Sequence, residues 1–363
     1  MTEVTATPAT FSTVLATAVA DDVIRLAAGA YGDARITRVI PAPGVVRIIS
    51  DPASPAVFNT LRVVGGEGLT FEGVSVSFAP TMTTSESQNV VSLEAAKRIT
   101  LSGCKITAGM AINGVPETST MYGAYGNIIG WPLGRGVFLA LSSDVEISDS
   151  EIWGVQRGLI SYKSSGVRIL RNHIHDLRRT FIAGDASDLT IAGNRLTGTK
   201  PWRWGETPIG DHGDFIALFP SALGPMSNVV IADNVAEQTP GGAAILGFTM
   251  AGINGLEVRG NYLAGTDHQG FVTTNVTGLK LYDNRFTGRA QILLRVGTVG
   301  ARGANNLFTA LTDYTSGGDN QIAPSGYVAP PPPPDPRDVR IGVLEADLAS
   351  ALDRLAQIKA LAE

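Results

Sequence analysis

The sequence contains one cysteine, Cys104, in 363 residues, so an internal disulfide and a cysteine metal cluster are both excluded. That thiol reads as a small apolar core residue. Charge is also scarce: 17% Asp, Glu, Lys and Arg is too little for long solvated helices and argues against an all-α chain. No stretch runs apolar for the roughly 18 residues that a membrane helix needs. The opening MTEVTATPATFSTVLATAVADD lacks the basic and apolar regions of a secretory leader. Neither membrane insertion nor Sec export is expected. A formal net charge of −5 gives duplex nucleic acid no basic surface, so it is not an expected partner. Lysine is rare too, six of the 28 basic residues, which leaves 22 arginines. Arginine suits bidentate contact with carboxylates, although genome composition explains the bias equally well.

What is present is 44% apolar residues and 42 glycines without a collagen period, material for a large core interrupted by many turns. One phrase recurs from residue 68 onward: GLTFEGVSVSF at Gly68, RITLSGCKITA at Arg98, DVEISDSEIWG at Asp144, GVRILRNHIHD at Gly166, DLTIAGNRLTG at Asp188, GLEVRGNYLAG at Gly255 and GLKLYDNRFTG at Gly278. Each is an alternating apolar strand, a tight polar turn and a second short strand. Asn172, Asn194, Asn234, Asn261, Asn284 and Asn306 hold the same place in the turn, at intervals of 22, 40, 27, 23 and 22 residues. Asparagine tolerates a left-handed corner and can stack on its equivalent one coil on, so these residues read as a structural ladder. A third strand aligns between phrases, as in GVFLALSS at Gly136, GLISYKSS at Gly158 and DFIALFPS at Asp214. Three strands per coil of about 22 residues give the expected fold: all-β, a right-handed single-stranded parallel β-helix.

These repeats, with FSTVLATAVADDVIRLAAGAYGD at Phe11 to Asp33, resemble the pectin-lyase-like superfamily over roughly residues 8 to 315. The resemblance implies a short capping helix, then a strand and a GxYG turn, and it is specific for fold rather than activity. The expected organisation is a cap and first coil at 1–33, the β-helix at 34–322, a Pro-rich linker at 323–338 and a heptad helix at 339–363. In that last segment Ile341, Leu344, Leu348, Ala351, Leu355, Ile358 and Ala362 step by 3 and 4 residues, an oligomerisation seam. Resemblance to viral β-helical spikes implies a homotrimer, while the sequence leaves the dimer open. Leu352 and Leu361 widen the apolar face, so a helix folded back onto the solenoid is the alternative.

Ligand chemistry is sought along one outer sheet. With Ile160, Ile182, Ile216, Ile245, Val272 and Leu293 set side by side, the position four residues earlier reads Gln156, Arg178, His212, Gly241, His268 and Arg289. The densest point is GDHGDF, with Asp211, His212 and Asp214. A histidine with a flanking carboxylate can act as general base, and a nearby arginine can neutralise a uronate. His212-Gly213-Asp214-Phe215-Ile216 is similar to a His-x-Asp-x-Ile segment of β-helical uronan-modifying proteins, although Ala217 stands where a glutamine is expected. The catalytic candidates are His212 as base, Asp211 or Asp214 as orienting group or acid, and Arg178 on a carboxylate. Arg157, Lys163, Arg179, Arg203 and His268 are substrate-binding candidates, and Trp202 and Trp204 are stacking platforms on the insertion TKPWRWGETPIG. The alternatives are that the tryptophans pin their loop, and that Asp214 binds turn amides or a calcium ion. His173 and His175 read as solvated corner residues, with no third ligand in view. No metal and no other cofactor is expected.

Three functions fit. The first is a virion spike or fibre that binds, and as a polysaccharide lyase or glycoside hydrolase would depolymerise, bacterial surface polysaccharide, joined to other virion proteins through a terminus. The second is a bacterial polysaccharide lyase or epimerase, and the third a non-catalytic adhesive solenoid.

Overall fold

Apolar residues at every second position of short segments can be buried together only if successive segments stack in register, and the repeats do so. The computed structural model describes residues 2–80, 84–85, 87–108, 134–199, 213–221, 224–237, 245–266, 270–294, 298, 302–304, 306–312 and 321–322, all within the unit Met1–Tyr327. The proline run and the seam residues Ile341, Leu344, Leu348, Leu355 and Ile358 lie outside them. Each coil supplies one strand to each of three parallel sheets, and each strand pairs with its equivalents one coil away.

Sheet one includes Asn89–Glu94, Arg135–Ala140, Ile182–Ser187, Gly213–Leu218 and Phe271–Thr277. Sheet two includes Glu67–Glu72, Lys97–Ser102, Ser143–Ser148, Leu189–Ala192 and Met226–Ala232. Sheet three includes Lys105–Thr107, Glu151–Trp153, His173–Leu177, Arg195–Thr199 and Val235–Glu237. Arg157–Leu170 and Ile245–Arg259 run unbroken from sheet one into sheet two. The period-2 alternation sends like residues inward on successive coils: Leu69, Ile99, Val145, Val167, Leu189, Val229 and Leu256 form one fully buried stack. Burying each such side chain stabilises the fold by about 1.5–3 kcal/mol, far more than any surface pair.

The corner between sheets two and three carries the asparagine ladder. Asn234 Oδ1 accepts from the Asn194 backbone N–H at 2.9 Å and its Nδ2 donates to Ile191 O at 2.9 Å, and the pattern repeats from Asn172 to Asn306. The ladder also continues toward the N-terminus: Ser150 N–H donates to Asn172 Oδ1, and Cys104 N–H to Ser150 Oγ, each at 3.0 Å. Cys104 thus occupies a ladder position as well as the core. The left-handed residue of this corner is the one before the ladder residue, at Asp149, Arg171, Gly193, Asp233, Gly260 and Asp283. The expectation that asparagine itself adopts that backbone is corrected. A buried asparagine in ordinary backbone aims its amide along the helix axis, where the next coil meets it.

At the N-terminal end, α1 (Phe11–Thr17) buries Phe11 and Leu15, and Phe11 meets Tyr31 and Phe58 edge-on at 5.7 and 5.6 Å. Gly29–Ile36 is a strand rather than the expected turn, with its register shifting on either side of Gly32. Among the described residues no helix is long and apolar enough to cross a membrane.

Candidate functional site

The strand register of sheet one differs from the one read off the sequence. Ile182 pairs with Leu159 and with Ile216, Ile216 with Phe248, Phe248 with Phe271, and Phe271 with Ile292. Ile160, Ile245, Val272 and Leu293 were therefore displaced by one to three residues. Arg178 nevertheless stands beside Gln156 as expected, its N–H donating to Val155 O. Beyond that pair the expected polar stripe is not formed by the described residues, since His212, Gly241 and His268 lie outside them.

A different column is. Arg135 pairs with Asn89 on one side and Arg157 on the other. The Arg179 N–H then donates to Gln156 O and the Gly158 N–H to Thr180 O, which sets Arg179 beside Arg157 and leaves Thr180 as a one-residue bulge. Three guanidinium groups thus start the sheet-one strands of three successive coils, about 4.8 Å apart per coil at the backbone. The glycine after each of the first two explains why the arginine faces outward. A Cβ at Gly136 would lie 2.5 Å from Gly158 O and 2.6 Å from Ile152 Cγ2, and one at Gly158 would lie 2.5 Å from Phe181 O. The glycine therefore turns into the crowded core, and its neighbour turns out.

Arg135 is half-buried and lies over the Phe138 ring at 5.0 Å. Its Nε and the Oδ1 of the adjoining Asn89 are buried without a hydrogen-bond partner, a costly state that a polar ligand would relieve. Desolvation pulls the Arg135 pKa below its ordinary value, and the group remains a cation at neutral pH. Arginines elsewhere are matched to carboxylates one coil away: Arg47 to Glu72, Arg62 to Glu94 and Arg171 to Asp149 at 2.7 Å, and Arg168 to Glu146 at 2.9 Å. No such pair engages Arg135 among the described residues.

Asp214 stands beside the row. It pairs with Leu246, and Phe181 N–H donates to Asp214 O, which sets it opposite the bulge residue Thr180, on the coil after Arg179. It is half-buried and accepts from Thr249 Oγ1 at 3.2 Å. Arg178, expected on a ligand carboxylate, is 1% exposed; at the bulge it turns into protein while Arg157 and Arg179 stay half-buried. Lys163 lies apart, over the Tyr162 ring at 4.8 Å. Asp185 is buried and holds turn amides, accepting from Lys163 N and, at 3.0 Å, from Ser221 N. His212, Asp211, Trp202, Arg203, Trp204 and His268 fall outside the described residues. His173 and His175 belong to a strand of sheet three, not to a corner. Asn89 and Arg135 were missed by the sequence reading. Their signal was the dipeptide Arg-Gly opening both RGVFLA and RGLISY, one coil apart.

A family model described as the right handed beta helix region matches residues 59–216. The fold is a right-handed parallel β-helix. Among solved structures, the alginate lyase from Paenibacillus sp. str. FPU-7 superposes with a TM-score of 0.53 at 15% identity, covering 88% of this chain and 98% of that one. The A-module of the Azotobacter vinelandii mannuronan C-5 epimerase gives 0.55 at 11%, covering 86% and 84%. A periplasmic alginate epimerase gives 0.50 at 14%, covering 87% and 71%. No curated protein sequence matches the chain. Likeness at these identities is likeness of β-helix architecture.

Proposed function

We propose that this β-helix binds an anionic, carboxylate-bearing polysaccharide along the row Asn89, Arg135, Arg157 and Arg179. The observation that carries the reading is the row itself: cations repeated once per coil suit a polymer whose carboxylates also repeat along its length. Support of a weaker kind comes from the three superposed structures, each named for an enzyme of alginate or mannuronan, which are polyuronates. The test is equilibrium binding of a polyuronate and of a neutral glucan. Arg135→Ala and Arg157→Ala should each weaken polyuronate binding by about tenfold, roughly 1.4 kcal/mol, and leave the melting temperature unchanged. Equal affinity for the neutral glucan would overturn the reading.

Turnover of the bound chain is the finer reading, favoured by the Asp214 carboxylate one coil past the row. In it His212 takes a proton, Asp211 or Asp214 orients it or acts as acid, and the arginines stabilise the charged carboxylate. New unsaturated ends would mark β-elimination, and new reducing ends alone would mark hydrolysis. Binding with neither product would make the protein an adhesin. The virion reading belongs here too: a trimeric spike facing bacterial surface polysaccharide, joined to virion proteins through a terminus. It rests on the heptad segment after the proline run.

A further inference from the structure

On the outer face of sheet three, away from the arginine row, Glu151 pairs with His173 and Trp153 with His175 on the next coil. Ile152 and Ile174 between them are fully buried, so alternation turns all four of these side chains outward. The His173 and His175 rings stack at 4.2 Å. His175 Nε2 lies 3.1 Å from Glu151 Oε1, and His175 Nδ1 lies 2.7 Å from Asp176 Oδ2. Trp153 lies parallel to the His175 ring with centroids 6.0 Å apart. One ligand atom each of Glu151, His173 and His175 lies within 4.8 Å of the other two.

We infer that Glu151, His173 and His175 bind a divalent transition metal of the zinc class. Two imidazoles and one carboxylate are ligands that such an ion takes at about 2.0–2.2 Å, which sets the ligand atoms about 3.3 Å apart in a tetrahedron. The trio reaches this spacing by side-chain rotation, since the paired strands fix the backbone. Asp176 supplies the outer contact that metal-binding histidines use: it accepts from Nδ1–H of His175, leaving Nε2, which faces Glu151, to give up its proton to an incoming metal. Two cations flank the trio in register, Lys105 beside Glu151 and Arg195 beside His173; Arg195 turns its guanidinium to Glu237 at 3.7 Å. Three protein ligands leave a fourth position for water or a ligand oxygen. Hard calcium, which wants six to eight oxygens, is poorly served here.

The test is titration of the metal-free full-length protein with Zn2+, and separately with Ca2+, read by calorimetry and thermal melting. One Zn2+ per chain should bind at micromolar affinity or better and raise the melting temperature, with no effect of Ca2+. The His173→Ala/His175→Ala variant should lose the site. The chain has only four histidines, so His212→Ala/His268→Ala serves as the control and should retain it. Should the first variant misfold, Co2+-loaded wild-type protein still decides the matter. Paramagnetically shifted imidazole signals from His173 and His175 support the site. Their absence, stoichiometric binding that survives the His173/His175 replacement, or no zinc binding overturns it.

Discussion

Asn234 shows what one residue holds in this fold. It is fully buried, accepts from Asn194 through Oδ1 and donates to Ile191 and Asn261 through Nδ2. Asn234→Ala strands several buried polar groups on two neighbouring coils, at about 1–3 kcal/mol for each group left unsatisfied. The exposed corner residue Asn228, whose side chain donates to Asp188 at 2.8 Å, should lose less than about 0.5 kcal/mol on replacement by glycine, which keeps its left-handed backbone. Urea unfolding of both variants checks the contrast. Cys104 makes a second residue-scale prediction, because burial pushes its thiol pKa up to about 12. The native protein should not react with a thiol reagent at neutral pH, and the unfolded chain should release one equivalent. As the folded pKa lies above that of the unfolded thiol, about 8.5, the corresponding stability is complete below that pH. It is lost as pH rises toward the folded value.

At the scale of the strand, the asparagine corner was legible because a buried amide at a fixed place in each coil leaves a one-letter signature. The sheet-one columns were not legible, because apolar residues at neighbouring positions, such as Leu159 and Ile160, look alike in sequence. Their order is settled by a bulge at Thr180 and by glycines whose missing Cβ the core requires. That geometry separates fold from function at adjacent positions. Gly158→Ala drives a methyl into Phe181 O and Ile174 and should destabilise by about 1–3 kcal/mol. Arg157→Ala, facing outward, should melt like the wild type and lose polyuronate affinity. A melting series on the two variants reads the difference directly.

For the whole molecule, the solenoid is a stack of near-equal coils, so its stability is a sum of neighbour terms and its outer faces are free to carry different chemistry. The arginine row lies on one face and the histidine pair on another. The proposed trimeric spike predicts that removing residues 339–363 converts a trimer to a monomer in analytical ultracentrifugation without altering the melting of the β-helix. An unchanged sedimentation coefficient would count against the spike reading. The most direct measurement is a crystal structure of the protein with a bound uronate oligosaccharide. Carboxylates seated on Arg135 and Arg157, one sugar following the next along the coil axis, are the expected result. A sugar bound on another face, with the row untouched, would contradict the proposed function.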